Sequence, residues 1–242
     1  MNVRRTLLSV NTLLAVLAIF ALFVCTGDLA KDVVDSYKGY LDYREMLVFL
    51  STFLVVGLFV QDWHTQFWRL LTVRMPIRRY ARNVFLWVWI TTLCTAMLGQ
   101  WLYIAYLRCK LPMLSEVVYS QPWQYDFLGE ILLFDHPYGY LVAQTLCASL
   151  VCSSLAVLAL LISVGIPDRL AAGFAPLMLY YLSAYGGSIL RVPYYLSMDY
   201  QLVGHLIGVP RTDVLIMSMH VAIPLVCLPI FTHAVERRCE NA

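Results

Sequence analysis

Residues 62–82 carry the sequence DWHTQFWRLLTVRMPIRRYAR, a basic and aromatic-rich segment in an otherwise apolar chain. Asp62 is its one acid, and it holds five of the 17 basic residues of the chain: Arg69, Arg74, Arg78, Arg79 and Arg82. Arginine and lysine near the ends of membrane spans mark the cytoplasmic side. We therefore expect residues 62–82 to form the main cytoplasmic segment between two membrane-spanning helices, with the other spans arranged around it.

The composition of the whole chain is that of an integral membrane protein. Of its 242 residues, 61% are hydrophobic and 13% are charged, with a mean hydropathy of +0.72, whereas soluble proteins are about 25% charged. The net charge of +2 is too small to suggest a nucleic-acid partner. The seven cysteines form no CxxC pair and no cluster with histidine at metal-ligand spacing, so the sequence predicts neither a metal site nor a disulfide framework.

Six stretches are apolar enough, and long enough or nearly so, to cross a membrane as helices, since about 20 residues span the hydrocarbon core of about 30 Å. Their approximate bounds are 6–26, 46–61, 84–107, 138–164, 170–190 and 214–234. We expect the first to be a retained span because no small-x-small cleavage site follows it. The second is short, and we expect it to continue helically past Trp63, where no Gly or Pro stops it. The predicted fold is an all-α integral membrane protein with one transmembrane domain over residues 1–242.

The distribution of charge predicts the orientation of these spans. With both termini inside, the inner segments hold ten basic residues and four acids, and the outer segments hold seven basic residues and eleven acids. This arrangement follows the positive-inside rule. We therefore predict a multi-pass protein of the plasma membrane with both termini in the cytoplasm.

The predicted outer segments are rich in aromatic residues. Residues 27–45 and 108–137 hold tyrosine, tryptophan and acidic side chains. An interfacial aromatic belt explains this composition, and an outer gate or substrate-contacting vestibule is the alternative. Between the last two spans, an apolar patch bounded by Pro193 and Pro210 predicts a short re-entrant or interfacial helix.

The sequence contains no motif for nucleotide hydrolysis or catalysis. The phosphate loop GxxxxGK[ST], HExxH, GxSxG and the Rossmann glycine pattern are all absent. Charged side chains inside spans are costly and usually functional, and the predicted spans contain almost none. Gln100, Gln144 and His220 are the polar exceptions, and they either hydrogen-bond neighbouring helices or line a substrate path or gate. We predict a non-catalytic subunit without a cofactor, driven by energy from a partner.

The segment between the second and third predicted spans has a recognisable order of residue types. An acid, a Leu-Leu pair, a proline, a basic pair and an aromatic residue follow one another as Asp62, Leu70-Leu71, Pro76, Arg78-Arg79 and Tyr80. In this order the chain resembles the permease subunits of bacterial ABC transporters of the type-two exporter class, including small six-span permeases encoded separately from their ATPase. The Gly that the family usually has between the acid and the Leu pair is missing here. A second resemblance covers residues 160–182, where Pro167 occupies the inner turn that joins spans four and five.

The resemblance implies a cytoplasmic coupling helix that sits in a cleft of the ATPase subunit. The residues implied in this contact are Gln66, Phe67, Arg69, Leu70, Leu71, Arg74, Arg78 and Arg79. In a helix, Phe67, Leu70 and Leu71 share one face at i, i+3 and i+4. Such an apolar face with basic flanks suits docking in the groove of a partner, and lying on anionic lipid is the alternative.

The implied function is that of a membrane-spanning permease subunit that uses ATP hydrolysed by a partner chain. The implied partners are the ABC ATPase subunit, a second permease copy or a sibling permease, and the lipid bilayer. Apolar walls and acidic, aromatic outer loops suit an amphipathic or cationic cargo such as a peptide. The alternative function is a non-transporting membrane scaffold or sensor subunit of a larger complex.

Overall fold

The computed structural model describes residues 10–26, 30–40, 43–65, 73, 75–114, 136–191, 197–203 and 212–240. The helices among them are α1 (Val10–Thr26), α2 (Val33–Tyr40), α3 (Arg44–His64), α4 (Ile77–Arg108), α5 (Pro137–Gly165), α6 (Arg169–Ile189), α7 (Met198–Val203) and α8 (Thr212–Glu240). No strand occurs in these described ranges. The prediction of an all-α chain is confirmed for this part of the protein.

The long helices coincide with the predicted spans in position. α4 begins at Ile77, earlier than the predicted residue 84, so Arg78, Arg79 and Arg82 belong to its first turns. By length and composition, α4, α5 and residues Leu215–Glu240 of α8 are apolar enough to cross a membrane, and α1 is a shorter apolar helix. These helices are those expected of a membrane protein, whereas the number of six crossings stays a prediction.

Consecutive long helices alternate in direction, so the bundle has two chemically different ends. The capped end carries the short helices α2 and α7, and the Val33 amide of α2 donates a hydrogen bond of 3.0 Å to the Pro112 carbonyl that follows α4. The basic end carries the start of α4 and the end of α8, which an ion pair between Arg78 and Glu236 joins. Its described basic residues are Arg78, Arg79, Arg82, Arg169, Arg237 and Arg238.

α5 is the central helix of the bundle. It contacts α3, α4, α6 and α8, and 83% of its most apolar stretch is buried. A helix that is apolar on all sides is expected to be enclosed by others, and small residues such as Ala148, Ser153 and Ala156 let neighbouring helices approach closely. Its serine hydroxyls donate to carbonyls of the preceding turn, as Ser153 Oγ does to Leu150 O at 2.9 Å. These bonds satisfy the hydroxyls inside an apolar environment.

Two apolar clusters fill the bundle, one towards each end. The capped-end cluster includes the buried rings of Tyr37 and Tyr140. The basic-end cluster includes Phe85 of α4 and Phe231 of α8, whose ring centroids are 5.7 Å apart. The two ends of the bundle are therefore packed by different sets of side chains.

Two glycines allow close contact between helices. A Cβ at Gly99 of α4 would lie 2.6 Å from Ile19 Cγ2 of α1, and one at Gly173 of α6 would lie 2.5 Å from Phe53 Cδ2 of α3. Carbon atoms in contact sit at about 3.5–4.0 Å, so an alanine at either position requires the neighbour to move. These contacts hold α1 against α4 and α3 against α6.

Candidate functional site

A set of buried polar side chains connects the short helices of the capped end to the long helices. We call this set the polar seam, and it consists of Tyr37, Gln100, Ser149, Ser154, Gln201 and His220. Each is at least 99% buried. Buried polar groups are costly unless they are hydrogen-bonded, and in the seam they bond to one another in two branches.

The first branch joins α2 to α5 through α4. The Tyr37 hydroxyl donates to Gln100 Oε1 at 2.9 Å, and Gln100 Nε2 donates to Ser149 Oγ at 3.1 Å. The Ser149 hydroxyl in turn donates to the Thr145 carbonyl at 2.6 Å. One glutamine in α4 therefore links a tyrosine of the capped end to the central helix.

Local bonds at the start of α2 hold Tyr37 in this position. Asp32 Oδ1 accepts a hydrogen bond of 2.8 Å from the Asp35 amide, which is the arrangement of an N-terminal helix cap. Ser36 Oγ accepts a second bond of 3.0 Å from the Ala30 amide. These bonds fix the start of α2 at Val33, one turn before Tyr37, whose ring is buried in the bundle.

The second branch joins α7 to α5 through His220 of α8. His220 Nε2 lies 2.8 Å from Gln201 Oε1, and His220 Nδ1 lies 2.8 Å from Ser154 Oγ. A neutral imidazole satisfies both contacts when Nε2 donates to Gln201 and Nδ1 accepts from the serine hydroxyl. Ser154 Oγ also lies 2.8 Å from the Val151 carbonyl, so its single proton has two acceptors within reach.

Further contacts fasten α7 to the bundle. The Met198 amide donates to Ser183 Oγ of α6 at 3.1 Å, and Cys147 Sγ of α5 contacts the Gln201 carbonyl at 3.8 Å. Leu202 is 1% exposed within the capped-end cluster. The short helix expected between Pro193 and Pro210 is therefore present, and it packs on α5 and α6.

Lysine and tyrosine side chains lie beside the first branch at the capped end. Lys38 Nζ is 5.8 Å from the centroid of the Tyr140 ring. Burial lowers the Lys38 pKa to about 8, against the opposing effect of Asp35 and Asp32. Gln144 is 4% exposed and shares a side-chain hydrogen bond with Tyr140.

The Ser154–His220 pair has the spacing of a nucleophile and its general base, with Gln201 in the third position. Two features disfavour this chemistry. A glutamine is neutral, so it cannot stabilise the imidazolium that a triad carboxylate stabilises. Ser154 and His220 are also both 0% exposed, which leaves no access for a substrate in this conformation. The seam instead joins helices through neutral hydrogen bonds.

The described residues offer no evident metal site. In the ranges that the structure describes, no group of three or more His, Cys, Asp or Glu side chains is arranged to hold one. The polar seam contains one imidazole together with amides and hydroxyls. Of these groups, imidazole is the common metal ligand, so the seam offers one such ligand.

The residues predicted for function fall partly within and partly outside the described ranges. Gln66, Phe67, Arg69, Leu70, Leu71 and Arg74 lie outside the described residues, so the coupling helix stays a prediction. Arg78 and Arg79 are exposed at the start of α4, where Arg78 pairs with Glu236. The structure brings Gln100 and His220 into the seam and places Gln144 next to it on α5. All three make side-chain hydrogen bonds between or within helices.

The sequence analysis missed four of the six seam residues. In the sequence, Tyr37 looks like one of the interfacial aromatic residues, although its side chain is fully buried. Ser149 and Ser154 lie in an apolar span, where nothing in the sequence marks them out. Gln201 carried the clearest signal, because it is an uncharged polar residue in the apolar patch between Pro193 and Pro210.

Comparisons with family models, curated proteins and solved structures give no match to this chain. Its function therefore has to be inferred from the chemistry of its own residues.

Proposed function

We propose that the chain is the membrane-spanning permease subunit of an ABC transporter, in which a partner subunit hydrolyses ATP. In this proposal α1, α3, α4, α5, α6 and α8 are six spans of the plasma membrane. The basic end and both termini face the cytoplasm, and the coupling helix lies between α3 and α4. The chain pairs with a second copy or a sibling permease, and the pair binds two ATPase subunits.

The polar seam is the observation that carries this proposal. Transport requires an element with two arrangements whose balance a ligand or partner can shift. Hydrogen bonds between membrane helices contribute about 0.6 kcal/mol on average and up to about 1.7. The Tyr37–Gln100 and Gln201–His220 bonds together therefore stabilise the observed packing of α2 and α7 by about 1–3 kcal/mol, which lies in the range of typical couplings between sites.

The position of the predicted coupling segment also supports the proposal. α3 ends at His64 and α4 begins at Ile77, so the predicted coupling segment is flanked in sequence by the two helix ends that lie at the basic end. The seam lies towards the capped end. A partner bound at the basic end would act on the seam through α4, which carries both Arg78 and Gln100, and the cargo would pass between helices lined by apolar and neutral polar side chains.

Loss of the docking face tests the proposal. Leu70→Asp with Leu71→Asp should abolish co-purification of a nucleotide-binding protein while the chain still inserts into the membrane. Thr72→Asp is the matched control because Thr72 lies in the same segment and, in a helix of 3.6 residues per turn, falls on the side opposite the Phe67–Leu70–Leu71 face. If the double variant retains the partner as the control does, the proposal is wrong.

A non-transporting scaffold or sensor subunit is the second candidate. Its support is the complete burial of the seam, which suits a permanent contact between helices as well as a gate. ATP-dependent movement of a peptide or amphipathic cargo in vesicles containing the chain and its partners separates the two functions. A partner complex that forms normally but moves no cargo would favour the scaffold.

A further inference from the structure

A cleft of about 390 Å³ opens at the basic end between the start of α4 and the second half of α8. One wall carries Arg78, Arg79 and Arg82, and the opposite wall carries Leu228, Pro229 and Thr232. We infer that this cleft binds the headgroup phosphate of an anionic phospholipid. The inference goes beyond the proposed function, because it requires only that α4 and α8 cross a membrane and applies equally to a transporter and a scaffold.

The charges around the cleft leave two arginines available to an anion. Arg78 pairs with Glu236, whose side chain is 19% exposed. Arg79 and Arg82 are exposed, and neither forms an ion pair with another residue in the described part of the chain. Guanidinium groups bind phosphate oxygens in a bidentate manner and through charge-assisted hydrogen bonds. The cleft therefore has the donors for one phosphate without breaking the Arg78–Glu236 pair.

The length of α4 places these arginines at the depth of lipid headgroups. α4 has 32 residues and is about 48 Å long, whereas the hydrocarbon core is about 30 Å thick. If the excess is shared between its ends, about 9 Å, or roughly six residues, extends beyond the core on each side. Ile77–Arg82 is that length, so all three arginines lie in the headgroup layer while Val84 enters the hydrocarbon.

The apolar wall distinguishes a lipid from a free phosphate. Leu225, Val226 and Ile230 of α8 are all at least 51% exposed, and they lie next to Leu228 and Pro229 in the sequence of the same helix. Acyl chains can cover this surface below a phosphate held by the arginines. A soluble anion would contact only the basic wall, whereas a phospholipid would contact both the basic and the apolar wall. Basic sites between spans on the cytoplasmic side also suit anionic headgroups.

The test measures the thermal stability of the purified full chain in a nonionic detergent. Phosphatidylglycerol should raise the midpoint of thermal unfolding, whereas phosphatidylcholine and sodium phosphate at the same concentrations should not. In Arg79→Gln with Arg82→Gln, the phosphatidylglycerol concentration needed for half of the shift should rise by at least about tenfold, since hydrogen bonds to charged groups contribute about a factor of ten each. Arg169→Gln with Arg237→Gln removes the same charge from the basic end outside the cleft and should keep the native response.

A second variant keeps the charge and changes the shape of the site. Thr232→Phe should fill the cleft and weaken the response to phosphatidylglycerol, and direct detection of bound lipid by native mass spectrometry should show the same loss, even where a variant has low stability. If phosphatidylglycerol does not raise the midpoint of thermal unfolding, or if the control variant loses the response equally, there is no specific site. A rise in the midpoint with sodium phosphate alone would mean that the cleft binds a soluble anion instead. Binding of a co-purified acidic protein at the cleft, without any lipid, would identify that protein as the ligand. Either of these two results would contradict the binding of a phospholipid.

Discussion

The hydrogen bond between Tyr37 and Gln100 predicts a measurable coupling between the capped end and the long helices. Tyr37→Phe removes the hydroxyl that donates to Gln100 Oε1 at 2.9 Å and preserves the ring in the apolar cluster. Because both side chains are fully buried, water cannot replace the lost donor. An unsatisfied buried acceptor costs about 1–3 kcal/mol, and bonds between membrane helices contribute up to about 1.7 kcal/mol, so we expect a loss of about 1–1.5 kcal/mol in the free energy of unfolding.

Gln100→Leu should have a larger effect, because the amide of Gln100 also donates to Ser149 Oγ at 3.1 Å. We expect a loss of about 2–3 kcal/mol from the two broken interhelical contacts. The double variant Tyr37→Phe with Gln100→Leu lacks both the Tyr37 hydroxyl and the Gln100 amide, so neither group is buried there without the other. The combined loss should therefore be smaller than the sum of the single losses by about 1 kcal/mol.

The assay is equilibrium unfolding of the purified full chain by sodium dodecyl sulfate in mixed micelles, followed by tryptophan fluorescence and circular dichroism. Tyr138→Phe is the matched control, because Tyr138 lies at the same end of the bundle and is 53% exposed. Its change should stay within about 0.5 kcal/mol. Additive single losses, or a Tyr37→Phe variant as stable as the control, would show that this contact does not tie α2 to the long helices.

Three further predictions concern α7, the capped end and the close contact of α3 with α6. In a chain that keeps Cys147 as its single cysteine, Gln201→Leu should raise the rate of maleimide alkylation of Cys147 by about three- to twentyfold. The reason is that the lost bond to His220 contributes about 0.6–1.7 kcal/mol to holding α7 over Cys147. Stability should rise between about pH 8 and pH 10.5, because folded Lys38 has released its proton there while the unfolded chain still binds it; Lys38→Met should remove this rise in unfolding titrations. Gly173→Ala should lower the free energy of unfolding by about 1–2 kcal/mol through overpacking against Phe53, and in a Phe53→Ala background it should cost nothing.

Each of these three predictions has a control within the chain. Ser218→Ala changes an exposed hydroxyl of α8 and should leave Cys147 labelling unchanged; equal acceleration would mean that the Gln201 bond does not hold α7. Lys110→Met removes an exposed lysine at the capped end and should keep the rise of stability with pH. Loss of this rise in both lysine variants would contradict its assignment to Lys38. Gly165→Ala adds a Cβ where no atom lies within 4 Å, so a loss of stability as large as that of Gly173→Ala would contradict the packing argument.

The positions of the helices could be predicted from the sequence because hydropathy is a local property. An apolar run of about 20 residues is helical wherever the chain crosses lipid, since its backbone groups have no other partners there. The predicted bounds of α5, residues 138–164, differ from Pro137–Gly165 by one residue at each end. The early start of α4 was missed, because Arg78, Arg79 and Arg82 make its first turns too polar for a hydropathy window, although no residue there prevents a helix.

The partners of the polar side chains were decided by the tertiary structure alone. Tyr37 and Gln100 are 63 residues apart, and Ser154 and His220 are 66 apart, so each contact depends on the relative rotation and depth of two helices. No local pattern encodes these quantities, because they follow from how close helices such as α1 and α4 can approach at Gly99. By itself the sequence determined that the chain is helical, apolar and basic in one segment. Only the packing decided that Tyr37, two glutamines, two serines and His220 form a seam, and that two of its arginines face an apolar wall of α8.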